Sequence, residues 1–258
     1  MGKYFHLSDH MACAYFKDES ILLDLKADKF YVLDKVKTGL LRLLLEEEWC
    51  ATSQTLYSLV KEETPGQHDL SLINRFIATF REHDFLEPLL HPKPYALVHK
   101  NKTAMGMPNI DWRLPLDASL KARLSGPVLK ALRMLLKVHM TLKFQGFYAL
   151  IQTIRKQGQL TQPYRIPTLQ DLNDLVQTLN QACLFYPVRT KCLEWAATLT
   201  LMALHQKWPV SLHIGVQNYP FLSHAWCQWN QEVIADSPLL PERMAVILST
   251  PLYQGVKQ

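Results

Sequence analysis

CLEWAATLTLMALHQKWPVSLHIGVQNYPFLSHAWCQWNQEVIAD, residues 192–236, changes its periodicity part-way, and that change decides the fold class. The first part carries Leu193, Ala196, Ala197, Leu199, Leu201 and Leu204, a helical run so apolar that it must be buried on most sides. From Val210 the pattern alternates. Val210, Leu212 and Ile214 predict a strand, and Gly215 permits a close backbone approach. His224, Trp226 and Gln228 alternate with Ala225, Cys227 and Trp229 on a second strand; Val233, Ala235 and Asp236 end a third, with Asn230-Gln231 as the hairpin turn. A buried helix followed by antiparallel strands is an α+β arrangement.

The same stretch holds a thiol, an imidazole and a carboxylate in the order Cys192, His224, Asp236. These are the parts of a cysteine nucleophile, its general base and the group that orients the base. Cys192 falls in the first turn of the predicted helix, where the dipole and unpaired N–H groups lower a thiol pKa and provide donors for an oxyanion. Other residues of the same types have plainer roles. Cys183 precedes Leu184 and Phe185 and reads as a core thiol; Cys227 points away from His224, because successive strand residues alternate faces. His205 and His213 read as surface or packing residues, and Asp236 is also placed to cap a turn at Ser237-Pro238.

At 258 residues with 48% hydrophobic content, the chain is long enough to bury a substantial core. Its net charge of +5 is mildly basic and compatible with an acidic peptide, a membrane surface or a nucleic acid. MGKYFHLSDH has no apolar core with a cleavage site, and His6 stands where a myristoylation pattern needs Ser or Thr. No apolar run is long enough to span a bilayer. The five scattered cysteines include no CxxC pair, so neither a disulfide framework nor a metal site is indicated; a reducing, cytoplasmic setting is expected.

Residues 1–90 read as a small α+β unit. Met11 to Phe16, Ser20 to Asp24 and Lys29 to Leu33 predict strands, the last two joined at Ala27-Asp28. Leu40, Leu41, Leu44 and Leu45 mark one helix. Thr52 and Ser53 cap another, holding Leu56, Leu59 and Val60 and ending at Pro65-Gly66; a further helix from Asp69 buries Leu72, Ile73, Phe76, Ile77 and Phe80. Three strands and three helices make a winged-helix-like module. Residues 91–114, with Pro92, Pro94 and Pro108, read as an exposed connection, and 115–258 as the second domain. In it Val128, Leu129, Leu132, Leu135, Leu136 and Met140 recur at helical spacing, within a stretch that has no acidic residue between Asp117 and Asp171. Lys121, Arg123, Lys130, Arg133, Lys137, Lys143, Arg155, Lys156 and Arg165 fall there, predicting a core-packing helix with a solvated basic face or a groove for an acidic ligand or membrane surface.

KCLEWAATL, HIGVQNYPFLSHAW, EVIADSP and ERMAVIL together closely resemble the leader peptidases of lasso-peptide biosynthesis. The resemblance is ordered and collinear from Tyr186 to about Leu248, and it implies a fold similar to transglutaminases and papain. Residues 1–90 are similar in pattern to the winged-helix leader-recognition domain that this family carries fused or separate. The chain thus resembles the fused form. The resemblance implies that the first domain captures the leader of a ribosomally made precursor and the second cuts leader from core. An asparagine-synthetase-like cyclase that uses ATP then closes the ring, while this chain needs no cofactor of its own. By the same carry-over Cys192 is the nucleophile, His224 the base and Asp236 the residue that holds the imidazole, with backbone N–H groups at Cys192 as oxyanion donors.

An extended peptide can add to the edge of a sheet, here the strand of Lys29, Phe30, Tyr31, Val32 and Leu33, with side chains reaching a groove beside Phe76 and Phe80. Alternation sends half of these strand residues to the other face. Three other readings compete. A precursor-binding scaffold with an idle triad has no need of Cys192, His224 and Asp236 together. Nucleic-acid binding is disfavoured by the acidic runs Glu46-Glu47-Glu48 and Glu62-Glu63 and by a helix from Asp69 that carries only Arg75 and Arg81 as basic residues. Acyl transfer to an amine uses the same triad and stays open.

Overall fold

A computed structural model describes residues 4–46, 70–89, 104–108, 112, 123–160 and 164–252. The chain forms two compact units, 1–103 and 104–258.

In the first unit, strands β1 (Tyr4–Leu7), β2 (Met11–Phe16), β3 (Glu19–Asp24) and β4 (Lys29–Leu33) are followed by helix α1 (Lys35–Glu46), helix α2 (Leu70–Glu82) and strand β5 (Leu86–Leu89). β2, β3 and β4 form an antiparallel meander, with β4 at one edge, paired only to β3 among the described residues. The turn into β4 has a local cause: Asp24 Oδ1 accepts the N–H groups of Lys26 and Ala27, and Asp28 takes a left-handed φ of 53°. Asp34 starts α1 in the same way, accepting the Lys37 N–H at 2.9 Å. The core joins Leu22, Leu40, Leu41 and Leu45 to Ile73, Phe76 and Phe80. β1 and β5 pair with each other, a feature the alternation did not predict. The helix expected around Leu56 to Val60 lies outside the described residues.

The second unit begins with residues 104–107, which the sequence reading placed in an exposed connection. Ala104 is buried, Gly106 N–H donates to Arg243 O at 2.8 Å, and the buried Gln217 side chain bonds both the N–H and the carbonyl of Met107 at 2.7 Å. Then come helices α3 (Gly126–Phe144), α4 (Gly146–Leu160), α5 (Leu169–Leu184) and α6 (Cys192–His205), strands β6 (Ser211–Gln217), β7 (Leu222–Trp229) and β8 (Glu232–Ile234), short helix α7 (Leu240–Arg243) and strand β9 (Ala245–Thr250). The strands form one antiparallel sheet in the order β8-β7-β6-β9. Helix α6 is the centre of the unit. Glu194 through Leu201 are all buried, as its apolar composition requires, with α3, α4 and α5 packed on it and the sheet on its remaining side.

The β7–β8 hairpin turns at Asn230-Gln231, both with positive φ (50° and 68°), which is the two-residue geometry that matches strand twist. Gly215 pairs with His224 next to a bulge against β9. A methyl group there would sit 2.7 Å from the Trp226 ring and 2.8 Å from Met244 Cβ, so the expected close approach is that of an indole.

One expectation needs correction. Val128 and Leu135 are buried on the inner face of α3, but Leu129, Leu136 and Met140 are exposed. Both faces of this helix carry apolar residues at helical spacing, and sequence periodicity cannot separate two interleaved stripes of the same period.

Candidate active site

Cys192 is the first residue of α6. Its helix start is set by a neighbour: the buried Glu194, at the third helical position, accepts the Lys191 N–H at 2.9 Å through Oε2, half of a capping box. Glu194 Oε1 lies 2.8 Å from His139 Nδ1 on α3, and the Tyr186 ring meets the His139 ring edge-on at 5.8 Å. A carboxylate only accepts, so His139 Nδ1 carries the proton. The turn that holds Cys192 is therefore tied to α3 through a side chain two residues away.

His224 comes from the middle of β7 and is buried, with 2% exposure. Its Nε2 is 2.8 Å from Asp236 Oδ2, which assigns the proton to Nε2 and leaves Nδ1 as the nitrogen that hydrogen-bonds Cys192. Asp236 follows β8. The chain leaves that strand through Ala235, whose φ of 53° is costly for a residue with a Cβ, and Asp236 Oδ1 accepts the Ser237 N–H at 2.7 Å. Asp236 thus caps the turn and orients the histidine at once, one oxygen for each. On its flank His224 stacks on Trp226 (6.2 Å between centroids), and Trp226 stacks on His213 (5.9 Å).

The electrostatics favour an ion pair. Burial pushes the Cys192 thiol up, but the His224 hydrogen bond, the Ala225 N–H, the His224 charge and the Leu193 N–H together outweigh it, so the thiol titrates below its ordinary 9.0. Burial pushes His224 down, but its bonds to Asp236 and Cys192 and their charges lift it from 6.5 to about 9. Both shifts favour the thiolate–imidazolium form of the pair. The N–H groups of Leu193 and Ala225 aim at the sulfur, one from the helix start and one from β7.

The other cysteines and histidines of the sequence reading fall elsewhere. Burial raises Cys183 to about 11; it raises the fully buried Cys227, whose thiol donates to Ala196 O, to about 12. His205 is exposed, and His213 is buried between Ser211 Oγ and Ser249 Oγ, 2.8 and 2.7 Å away. A cavity of about 640 Å³ opens near the far end of α6, beside Met202 and His205, and contains none of the three site residues. Among the described residues no group of three His, Cys, Asp or Glu is placed to hold a metal ion.

Residues 134–249 match the family described as the transglutaminase-like superfamily. This part of the chain is a transglutaminase-like domain. A solved structure, TbiB1 in complex with the TbiA(beta) leader peptide, is 25% identical over 31% of this chain and 93% of that one, with a TM-score of 0.27. No curated protein matches the chain. The transglutaminase-like domain contains Cys192, His224 and Asp236, and its core helix is the one that Cys192 opens.

The first unit has a cavity of about 650 Å³ between β4, α1 and α2. Of the residues expected to take part in leader binding, Tyr31, Leu33, Phe76 and Phe80 line it; Phe30 and Val32 do not, as strand alternation requires, and Lys29, on the same face as Tyr31 but at the start of the strand, is also outside the lining. Phe76 and Phe80 also belong to the core, so they are at once groove wall and structural support. The sequence reading missed Asp34, Lys37, Arg75 and His83, which give this apolar groove a charged margin. Their signal was faint, since a lone charged residue on a helix reads as solvated. Glu194 was more legible, because a Glu at the third position after a helix start is half of a capping signature; its His139 partner, 55 residues upstream, was not.

Proposed function

We propose that the chain is a cysteine peptidase that binds the leader of a ribosomally made lasso-peptide precursor and cleaves leader from core, so that a partner cyclase using ATP can close the ring. The observation that carries this reading is the chain of contacts from Asp236 through His224 to a Cys192 whose thiol is acidified at a helix start. The collinear resemblance from Tyr186 to Leu248 supports the substrate class, and the β4 edge with its groove supports capture of an extended peptide.

The chemistry follows from the ion pair. The Cys192 thiolate attacks the scissile carbonyl carbon, and the resulting oxyanion is met by backbone N–H groups at the start of α6. His224, already protonated, gives its Nδ1 proton to the leaving amine of the core peptide as the C–N bond breaks. The leader is left as a thioester on Cys192. His224, now neutral, takes a proton from water, whose hydroxyl attacks the thioester and releases the leader acid and the thiolate. Asp236 keeps the imidazole in the tautomer and orientation that both steps need.

The test is incubation of the purified protein with its precursor, with and without cyclase, followed by mass spectrometry against Cys192→Ala. The expected result is a leader-length fragment from the wild type and none from the variant. A precursor that stays whole yet binds tightly under both conditions would replace this reading with a scaffold that delivers the peptide to the cyclase.

A further inference from the structure

We infer that the outward face of α3 is a docking surface for an anionic lipid bilayer. Leu129, Leu136, Met140 and Phe144 are 38%, 50%, 44% and 68% exposed. At about 100° per residue they fall within an arc of about 80°, a single stripe along a helix about 28 Å long. Helix α3 has already packed its other stripe, Val128, Ala131, Leu135 and Val138, into the domain, where α4, α5 and α6 meet it. Among the described residues, then, the fold makes no use of the outer stripe.

The stripe is edged with cations. Lys143 borders it on one side, with its ammonium 5.5 Å from the Phe144 ring centroid; Lys137 and Lys130 border it on the other, and Arg133 lies within it. Neither α3 nor α4 contains an acidic residue. Of the described carboxylates near α3, Glu194 is buried against His139, and Asp171 and Asp174 of α5 share a cavity with Lys130 at one end of the face. An apolar centre between Lys side chains suits a bilayer surface, with the stripe among the acyl chains and the ammonium groups at the lipid phosphates. A protein partner fits less well: protein interfaces enrich Phe and Met, which the stripe holds, but deplete the Lys that edges it on both sides. The rim is Lys130, Lys137 and Lys143, the one Arg lies within the stripe, and the stripe has neither Trp nor Tyr. A second copy of the same face would bring like charges together. No helix among the described residues is long and apolar enough to cross a membrane, so α3 lies on the surface. The inference does not depend on the activity at Cys192.

The experiment is co-sedimentation of the full chain with vesicles of phosphatidylcholine alone or with about a quarter phosphatidylglycerol. Wild type is expected to bind the anionic vesicles, to ignore the neutral ones and to be released by high salt. Leu136→Ser with Phe144→Ser, and separately Lys137→Glu with Lys143→Glu, are each expected to weaken binding by more than about tenfold. The rate of Cys192 alkylation should stay at the wild-type value in both, which reports an intact domain. Wild-type indifference to both vesicle types, or binding that neither double variant weakens, overturns the proposal. Concentration-dependent self-association abolished by the Leu136 and Phe144 changes, with no vesicle binding, would assign the face to a second copy instead.

Discussion

Replacing Asp236 by Asn separates charge from shape at the centre of the site. The carboxylate accepts with both oxygens, Oδ2 from His224 Nε2 at 2.8 Å and Oδ1 from the Ser237 N–H at 2.7 Å. An amide has one acceptor oxygen, so in Asp236→Asn one of those two donors must face an NH₂ group. The His224 rise from 6.5 to about 9 is on the order of 3 kcal/mol, and because burial opposes it, the favourable interactions sum to more than that net. If Asp236 supplies about half, its loss lowers the constant for transferring the Cys192 proton to His224 by at least about tenfold. The assay is the pH dependence of Cys192 alkylation by iodoacetamide, followed by intact mass. The wild type should titrate below the ordinary thiol value of 9.0, whereas Asp236→Asn should shift the midpoint upward and alkylate about tenfold more slowly near pH 6. Stability supplies a second readout. A histidine whose folded pKa is raised contributes stability that is complete below 6.5 and is lost as pH rises through about 9. Asp236→Asn should therefore lower Tm at about pH 6 more than at about pH 10. Identical alkylation profiles for the two proteins would refute the ion-pair reasoning.

Three further outcomes are expected. Gly215→Ala should lose about 1–3 kcal/mol in urea denaturation and also slow Cys192 alkylation, because the added methyl displaces the Trp226 ring that stacks on His224; a variant with wild-type values of both would show that the indole has room to move. Glu194→Gln and His139→Ala should be non-additive, with a double-mutant coupling of about 1–2 kcal/mol in denaturation midpoints, since Glu194 Oε1 and the His139 ring bond each other; additive losses would make the contact energetically idle. Thr38→Val should cost about 1–3 kcal/mol, because Thr38 Oγ1 accepts the N–H of the fully buried Ser20 at 2.8 Å and Val leaves that donor unpaired; a change under half of that, by thermal melting, would mean the strand finds another acceptor.

The local pieces were legible from neighbouring residues alone. The shift from period 3.6 to period 2 after His205 located α6, β6 and β7, and the strands expected in the first unit match β2, β3 and β4 nearly residue for residue. These succeed because helix and strand periods are written in neighbouring residues. The order Cys192, His224, Asp236 named the candidate triad, and strand alternation removed Cys227 from it. Tertiary structure decided what depends on pairs distant in the chain. The β1–β5 ladder joins residues about 80 positions apart, and β9 reaches β6 across the β7–β8 hairpin. The same holds for the tie between His139 and Glu194 and for the Trp226 stack under His224. The α3 helix marks the boundary most sharply: its periodicity announced a helix, but Leu135 and Leu136 are the same side chain on opposite faces, and only the packing of α5 and α6 settled which is buried and which faces out. A single-sequence pattern records that a residue is apolar; burial is a property of what the rest of the chain brings against it.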